Sequence, residues 1–170
     1  MSTPRVREAI DKLAGIFAAN PEKAKVKNTP ATARLSEGLK FEVTGPNGER
    51  VVTDMPQGVG GTATGPNPSW LLRSGMASCT ATVIAMRAAK LGVNLTSLEV
   101  TVESESDQRG MLGLDDKVSA GLGAFRMKVK IAGDAPAAKL KALVEWADGH
   151  SPVGCTVKEA PACALEVEVV

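Results

Sequence analysis

Residues 67–92 read NPSWLLRSGMASCTATVIAMRAAKLG, and within them residues 68–91 predict the longest helix of the chain. Asn67 suits the N-cap, Pro68 the first helical position, and Gly92 the residue just beyond the last turn. The larger side chains recur at helical spacing on one face: Leu72, Met76, Cys79, Val83 and Met86. Small residues fill much of the remaining surface, which lets other elements enclose the helix closely. We therefore expect a central helix that carries a cysteine on its apolar stripe.

Alternation of apolar and polar residues predicts strands on both sides of this helix. Residues 31–54 indicate an antiparallel meander, with a Gly-Pro-Asn-Gly turn at 45–48. After the helix, residues 95–105 place glutamates on one face, whereas residues 124–132 place arginine and lysines on one face. Opposite charges across neighbouring strands favour pairing, so we predict that these two segments form an antiparallel hairpin.

The sequence predicts three further helices, two from the periodicity of apolar residues and one from its cap residues. Residues 4–19 predict an amphipathic helix, which a polar, lysine-rich linker connects to the first strand. Residues 136–148 predict a second amphipathic helix. Ser151 and Pro152 have the form of an N-cap and a first helical residue, and they open a short helix that contains Cys155.

The remaining segments are one strand and two loops. Residues 163–169 alternate apolar and polar side chains and predict a last strand, with Cys163 facing the core. The glycine-rich segment 56–67 invites comparison with a phosphate-binding loop, but no Gly-Lys-Ser/Thr follows it. The acidic segment 107–116 lacks the full pattern of an EF-hand, so a solvated loop is the better interpretation than a cation site.

Composition narrows the class of protein. A length of 170 residues with 44% hydrophobic residues suffices for one domain-sized core. Aromatic residues make up 3% and the net charge is +1, so we expect no binding to nucleic acid or to a membrane surface. The chain shows neither a signal peptide nor a membrane-spanning stretch, and three cysteines are unlike a secreted disulfide scaffold. We therefore expect a cytoplasmic protein.

Cys79 and Cys155 are candidate nucleophiles, and the alternative for each is a structural role as a small apolar residue. Cys79 lies in mid-helix, where a thiol is often a small buried apolar group, and it needs a nearby cation to become a thiolate. Cys155 lies near a helix start, where the dipole and free N–H groups favour the thiolate. A zinc site formed by His150, Cys155 and Cys163 would lack a fourth ligand, and no local motif pairs His150 with a cysteine nucleophile.

Three sequence blocks resemble the signature of the OsmC/Ohr family. The first runs from Gly65-Pro66-Asn67-Pro68 to Met76-Ala77-Ser78-Cys79, the second is Asp107-Gln108-Arg109-Gly110-Met111-Leu112-Gly113, and the third is Ser151-Pro152-Val153. This resemblance implies an α+β fold, in which a bent antiparallel sheet wraps around a long central helix in an intertwined homodimer. Residues 1–30 would then be an N-terminal helical extension and linker, and residues 31–170 the OsmC-like domain.

The same resemblance implies a thiol-dependent peroxidase that reduces organic hydroperoxides. Cys79 takes the peroxidatic place, and Cys155 is the candidate resolving thiol because Ser151 stands where the family often has its second cysteine. Ser69 stands where the family has a glutamate that orients an arginine, and Arg34 or Arg73 would be that arginine. No bound cofactor or metal is expected, and an external dithiol or lipoylated protein would be the reductant.

Two other interpretations stay open. The same dimeric fold would bind an apolar small molecule near Cys79, or sense oxidants, without catalytic turnover. Alternatively, Cys79 would act as the only redox cysteine of a peroxidase and an external thiol would resolve it. The expected partners are therefore a hydroperoxide, a dithiol reductant and a second copy of the chain.

Overall fold

A computed structural model describes residues 3–170. These residues form five α-helices and five strands. In chain order they are α1 (Thr3–Ala19), β1 (Thr32–Glu37), β2 (Lys40–Thr44), β3 (Arg50–Thr53), α2 (Pro68–Lys90), β4 (Leu95–Glu105), α3 (Gln108–Met111), β5 (Gly123–Gly133), α4 (Ala137–Asp148) and α5 (Pro152–Glu159). Short 3₁₀ turns follow α1 and β3.

The first three strands form the predicted meander. The order is β1-β2-β3 and both pairs are antiparallel, with Leu35 opposite Phe41 and Val43 opposite Val51. Gly48 adopts a φ of 88° in the turn between β2 and β3. Because side chains disfavour this left-handed region, the turn needs glycine there.

The strands after α2 form the predicted hairpin. β4 and β5 make a two-stranded sheet. Lys130 bonds Glu99 at 2.6 Å near one end, and Arg126 bonds Glu105 at 2.9 Å near the other, as antiparallel strands require. These side chains are mostly exposed, so the ion pairs contribute more to register than to stability.

The chain divides into two compact units. Unit 1 contains residues 76–101 and 127–170 with the start of α1, and unit 2 contains residues 8–75 and 102–126. In unit 1, the end of α2 and the inner face of α4 build a small apolar core from Ala88, Val93, Leu140 and Leu143. Leu95, Ile131 and Ala135 pack against that core.

The prediction of a last strand is wrong for this structure. Residues 160–170 belong to no helix or strand, and Leu165, Val167 and Val169 are 87%, 76% and 92% exposed. Alternation makes a segment suitable for a sheet, but a strand also needs a neighbouring edge to which its N–H and C=O groups bond. Cys163 shares this exposure, so it is not a core residue.

The predicted helices are all present. α1 and α4 begin and end within one residue of the boundaries that the sequence indicates, and α5 begins at Pro152 as predicted. Within residues 3–170, no helix combines the length and the apolar character that crossing a bilayer requires.

Candidate active site

Cys79 lies half-buried in the middle of α2. The buried residues of this helix are Met76, Thr80, Ile84, Ala88 and Ala89. The predicted stripe through Leu72 and Met86 is therefore displaced, because both of those side chains are exposed. Cys79 borders the buried face and keeps part of its surface accessible.

The loop before α2 is folded around one carboxylate. Asp54, at the end of β3, is buried and accepts hydrogen bonds from the amides of Met55, Thr62 and Thr64. The hydroxyls of Thr62 and Thr64 also donate to it, at 2.6 and 3.0 Å. The Thr62 hydroxyl and then the Thr64 amide hold the pKa of Asp54 well below its usual range. The amides of this glycine-rich loop thus serve the chain's own carboxylate rather than a phosphate.

The start of α2 is capped as the sequence predicts. The Asn67 side chain accepts from the Trp70 amide at 2.8 Å, and Pro68 is the first helical residue. Gly65 is required just before this cap, because a Cβ there would lie 2.4 Å from the Val52 carbonyl oxygen. These contacts fix where α2 begins, and therefore where Cys79 lies along the helix.

The start of α5 lies against α2 beside Cys79. Ser151 caps α5, and its hydroxyl accepts from the Gly154 amide at 3.3 Å. The Thr80 hydroxyl donates to the same oxygen at 3.2 Å, and both hydroxyl side chains are almost fully buried. Sequence reasoning missed Thr80. The chain neighbour of Cys79 is therefore in contact with Ser151, to which the sequence resemblance assigns the place of the second cysteine.

Cys155 is half-buried and follows Ser151 by about one helical turn. Its amide donates to the Ser151 carbonyl at 2.8 Å, so the cap already uses the amides of Gly154 and Cys155. The helix dipole remains as a source of stabilisation for a thiolate, but the first turn has fewer free N–H groups than the sequence suggests. All three cysteines are free thiols.

His150 takes part in a ring stack instead of a metal site. Its imidazole lies over the Trp146 ring, with centroids 3.8 Å apart and planes inclined by 13°. Nδ1 donates to the Trp146 carbonyl oxygen at 2.7 Å. No cluster of three potential ligands occurs anywhere in residues 3–170. The spacing of Trp146 and His150, four positions apart near a helix end, was the sequence signal for this contact.

The two candidate arginines bond to hydroxyl groups. Arg34 donates to Thr44 on the neighbouring strand at 3.2 Å, and Arg73 donates to Ser104 at 3.3 Å. In the second signature block, Arg109 makes a bidentate contact with Asp107, which itself caps α3. That contact lowers the pKa of Asp107 and raises the pKa of Arg109. The contacts of Arg34 and Arg73 therefore do not identify the cation that would stabilise the Cys79 thiolate.

A family model for OsmC-like proteins matches residues 61–166 of this 170-residue chain. The chain belongs to the OsmC-like family. The match includes α2 with Cys79, the hairpin β4–β5, and α5 with Cys155. The predicted family and its α+β fold are thus confirmed. A search of curated proteins found no match to this OsmC-like chain.

Solved structures agree with the fold of this OsmC-like protein. An OsmC-like protein from Mycoplasma pneumoniae is 19% identical, with 79% of this chain and 89% of that chain covered and a TM-score of 0.66. An organic hydroperoxide resistance protein from Elizabethkingia anophelis is 21% identical, with 78% and 89% covered and a TM-score of 0.60. The organic hydroperoxide resistance protein OsmC from Legionella pneumophila is 20% identical, with 79% and 91% covered and a TM-score of 0.55.

Proposed function

We propose that this OsmC-like protein is a cysteine-based peroxidase that reduces organic hydroperoxides, with Cys79 as the peroxidatic thiol and Cys155 as the resolving thiol. The observation that carries the proposal is the contact between Thr80 and Ser151. It brings the start of α5 to the helix position next to Cys79, so both thiols belong to one compact unit. The names of the two hydroperoxide resistance proteins give independent support for the substrate class.

The chemistry balances as a two-electron reduction of the peroxide. The Cys79 thiolate attacks one peroxide oxygen, the O–O bond breaks, and the alkoxide takes a proton and leaves as an alcohol. Cys79 is then a sulfenic acid. The Cys155 thiol attacks its sulfur, a disulfide forms and water leaves. An external dithiol exchanges with that disulfide, becomes a cyclic disulfide itself and returns both protein thiols.

The first prediction is that the protein consumes cumene hydroperoxide in the presence of dithiothreitol, whereas Cys79→Ser abolishes consumption. A serine hydroxyl is not ionised near neutral pH and does not replace the thiolate as nucleophile. Cys163→Ser is the matched control, because that thiol is exposed and lies in the tail outside any helix or strand. Peroxide loss at the same rate in Cys79→Ser would reject the proposal.

The mass of the protein after one equivalent of hydroperoxide identifies the resolving step. Loss of two hydrogens, with Cys79 and Cys155 in one cross-linked peptide pair, is the expected result. Gain of one oxygen at Cys79 alone would instead assign a one-cysteine mechanism with an external resolving thiol.

One observation favours the non-enzymatic alternative. Arg34 donates to the Thr44 hydroxyl and Arg73 to the Ser104 hydroxyl, so the observed contacts of both candidate arginines are with hydroxyl groups and not with a thiolate. If peroxide is not consumed, the same protein would act as a binding protein or an oxidant sensor. Binding of a hydroperoxide analogue that is unchanged in Cys79→Ala would then support this second function.

We also infer that the protein is a cytoplasmic homodimer. The exposed side chains include large apolar ones in both units: Leu35, Leu112, Leu114, Leu165, Val167 and Val169. A standard interface covers about 800 Å² per partner, so a second copy has ample surface to bury.

A further inference from the structure

Trp146 lies between two other side chains. His150 covers one face of its ring at 3.8 Å between centroids. The Cζ atom of Arg87 lies 4.4 Å from the Trp146 ring, and because one face is occupied by the imidazole, the guanidinium takes the other. We call these three residues the Arg87–Trp146–His150 stack. The hydrogen bond from His150 Nδ1 to the Trp146 carbonyl prevents the imidazole from turning away.

The stack connects α2 to the junction between α4 and α5, which comprises residues 149–151. Trp146 is in the last turn of α4, and His150 immediately precedes the cap of α5. On α2, Thr80 and Arg87 are seven positions apart, so they lie about two turns apart on one side of the helix. α2 therefore holds the junction at two points.

A separate contact joins the far end of α5 to α4. Lys158 in the last turn of α5 forms an ion pair with the Asp148 carboxylate at 2.7 Å and also donates to the Asp148 carbonyl at 3.2 Å. Gly149, between the two helices, has no Cβ, so its backbone is intrinsically less restricted than that of other residues. If the stack were removed, the Thr80–Ser151 hydrogen bond would still join α2 to the junction, and the apolar contacts of Ala88 with Leu140 and Leu143 would still hold α4 on α2, but the junction would lose its second direct contact with α2.

We propose that Arg87, Trp146 and His150 are positioning residues, which hold the α4–α5 junction so that Cys155 meets oxidised Cys79. This proposal rests on the proposed function and adds the residues that set the rate of its resolving step. Two direct contacts with α2 restrict the direction of α5 more closely than the Thr80–Ser151 hydrogen bond does alone. An intramolecular reaction is fast only while its reacting atoms are held near each other. A less restricted α5 would therefore slow disulfide formation between Cys79 and Cys155.

The test follows the two oxidation steps separately by quenched mass spectrometry after one equivalent of cumene hydroperoxide. In Trp146→Leu, sulfenic acid should form on Cys79 at the parent rate. Disulfide formation with Cys155 should be slower by about tenfold, because losing a ring stack and a cation–π contact typically costs that factor. Trp70→Leu is the matched control, since Trp70 is the other tryptophan and lies at the start of α2.

A conservative pair of variants separates positioning from general damage. His150→Phe keeps a flat ring on Trp146 and should restore most of the disulfide rate, whereas His150→Ala should not. Arg87→Gln serves as a second variant if Trp146→Leu unfolds, because Arg87 is only half-buried. An unchanged rate of disulfide formation in Trp146→Leu or in Arg87→Gln would overturn the proposal.

Oxidation by diamide tests the positioning role of the stack separately from the proposed peroxidase function. Its N=N bond is reduced to a hydrazine while two thiols become a disulfide, so no peroxidase activity is needed. If the parent protein ignores hydroperoxide, the proposed function fails, but slower diamide-driven pairing of Cys79 and Cys155 in Trp146→Leu still supports the positioning role. Equal pairing in parent and variant, or no pairing in the parent, contradicts it.

Discussion

A single buried carboxylate organises the approach to the central helix. Asp54 accepts three amide and two hydroxyl hydrogen bonds, all from residues within ten positions after it. Such charge-assisted bonds favour the ionised carboxylate, which is why its pKa is lowered in the folded protein. The loop ends at the cap of α2, so the order imposed by Asp54 extends to the helix that carries Cys79.

We predict that Asp54→Asn destabilises the protein at neutral pH. The amide is neutral and cannot accept five donors, so the loop loses most of its bonds. Because the pKa of Asp54 is lowered from the ordinary value of 3.8, its contribution is fully present above that value and is lost as pH falls below it. The difference in urea midpoint between parent and variant should therefore shrink from about pH 6 to about pH 3.

Asp116→Asn is the control for this experiment, because Asp116 is exposed in the β4–β5 connection. It should leave the urea midpoint close to that of the parent. A pH-independent difference between parent and Asp54→Asn would contradict the role assigned to ionised Asp54.

At the scale of elements, α5 depends on a hydroxyl that serves two helices. Ser151 caps α5 and accepts from Thr80 on α2. The sequence resemblance implies a resolving thiol at this position, whereas in this chain the hydroxyl bonds to both helices. In the proposed mechanism the resolving role belongs to Cys155, about one turn later on the same helix.

We predict that Ser151→Ala lowers the free energy of unfolding by about 1 to 2 kcal/mol, as the loss of an N-cap usually does. It also leaves the buried Thr80 hydroxyl without this acceptor. Thermal and urea unfolding measure the change. Ser97→Ala, at an exposed position of β4, should change the stability far less, and equal effects of the two substitutions would argue against the shared hydroxyl.

At the scale of the whole molecule, one chain leaves large apolar side chains exposed in both of its units. The two units together bury few large apolar side chains, and the segment 163–169 exposes an apolar row that a partner surface would cover. Burial of such side chains contributes about 1.5 to 3 kcal/mol each, which is enough to drive association. This argument from area agrees with the homodimer that we infer.

We predict a dimer of the 17.6-kDa chain in sedimentation equilibrium at micromolar concentration. Replacing Leu165, Val167 and Val169 together by serine should weaken association by at least about tenfold, because apolar area leaves the interface. Val26→Ser, at another exposed apolar position, is the control. A parent protein that sediments as a monomer would contradict the dimer, and unchanged affinity in the triple variant would exclude the tail from its interface.

The sequence by itself determined those features of the fold that depend on residues close together in the chain. The ends of α2 follow from Asn67, Pro68 and Gly92, and the hairpin follows from acidic and basic faces that match. Each of these features is a contact within one element or between elements adjacent in the chain, so periodicity and cap residues suffice to predict it.

Only the tertiary structure decided which side of α2 is buried and what Cys79 has beside it. Thr80 meets Ser151 across 71 positions, and Arg87 meets Trp146 from another helix. The tail at 163–169 shows the opposite case, since its apolar and polar residues alternate as in a strand but no neighbouring strand pairs with it. Packing and strand pairing are interactions between distant segments, and a pattern along the chain specifies which side chains are suited to contact but not which partner they find.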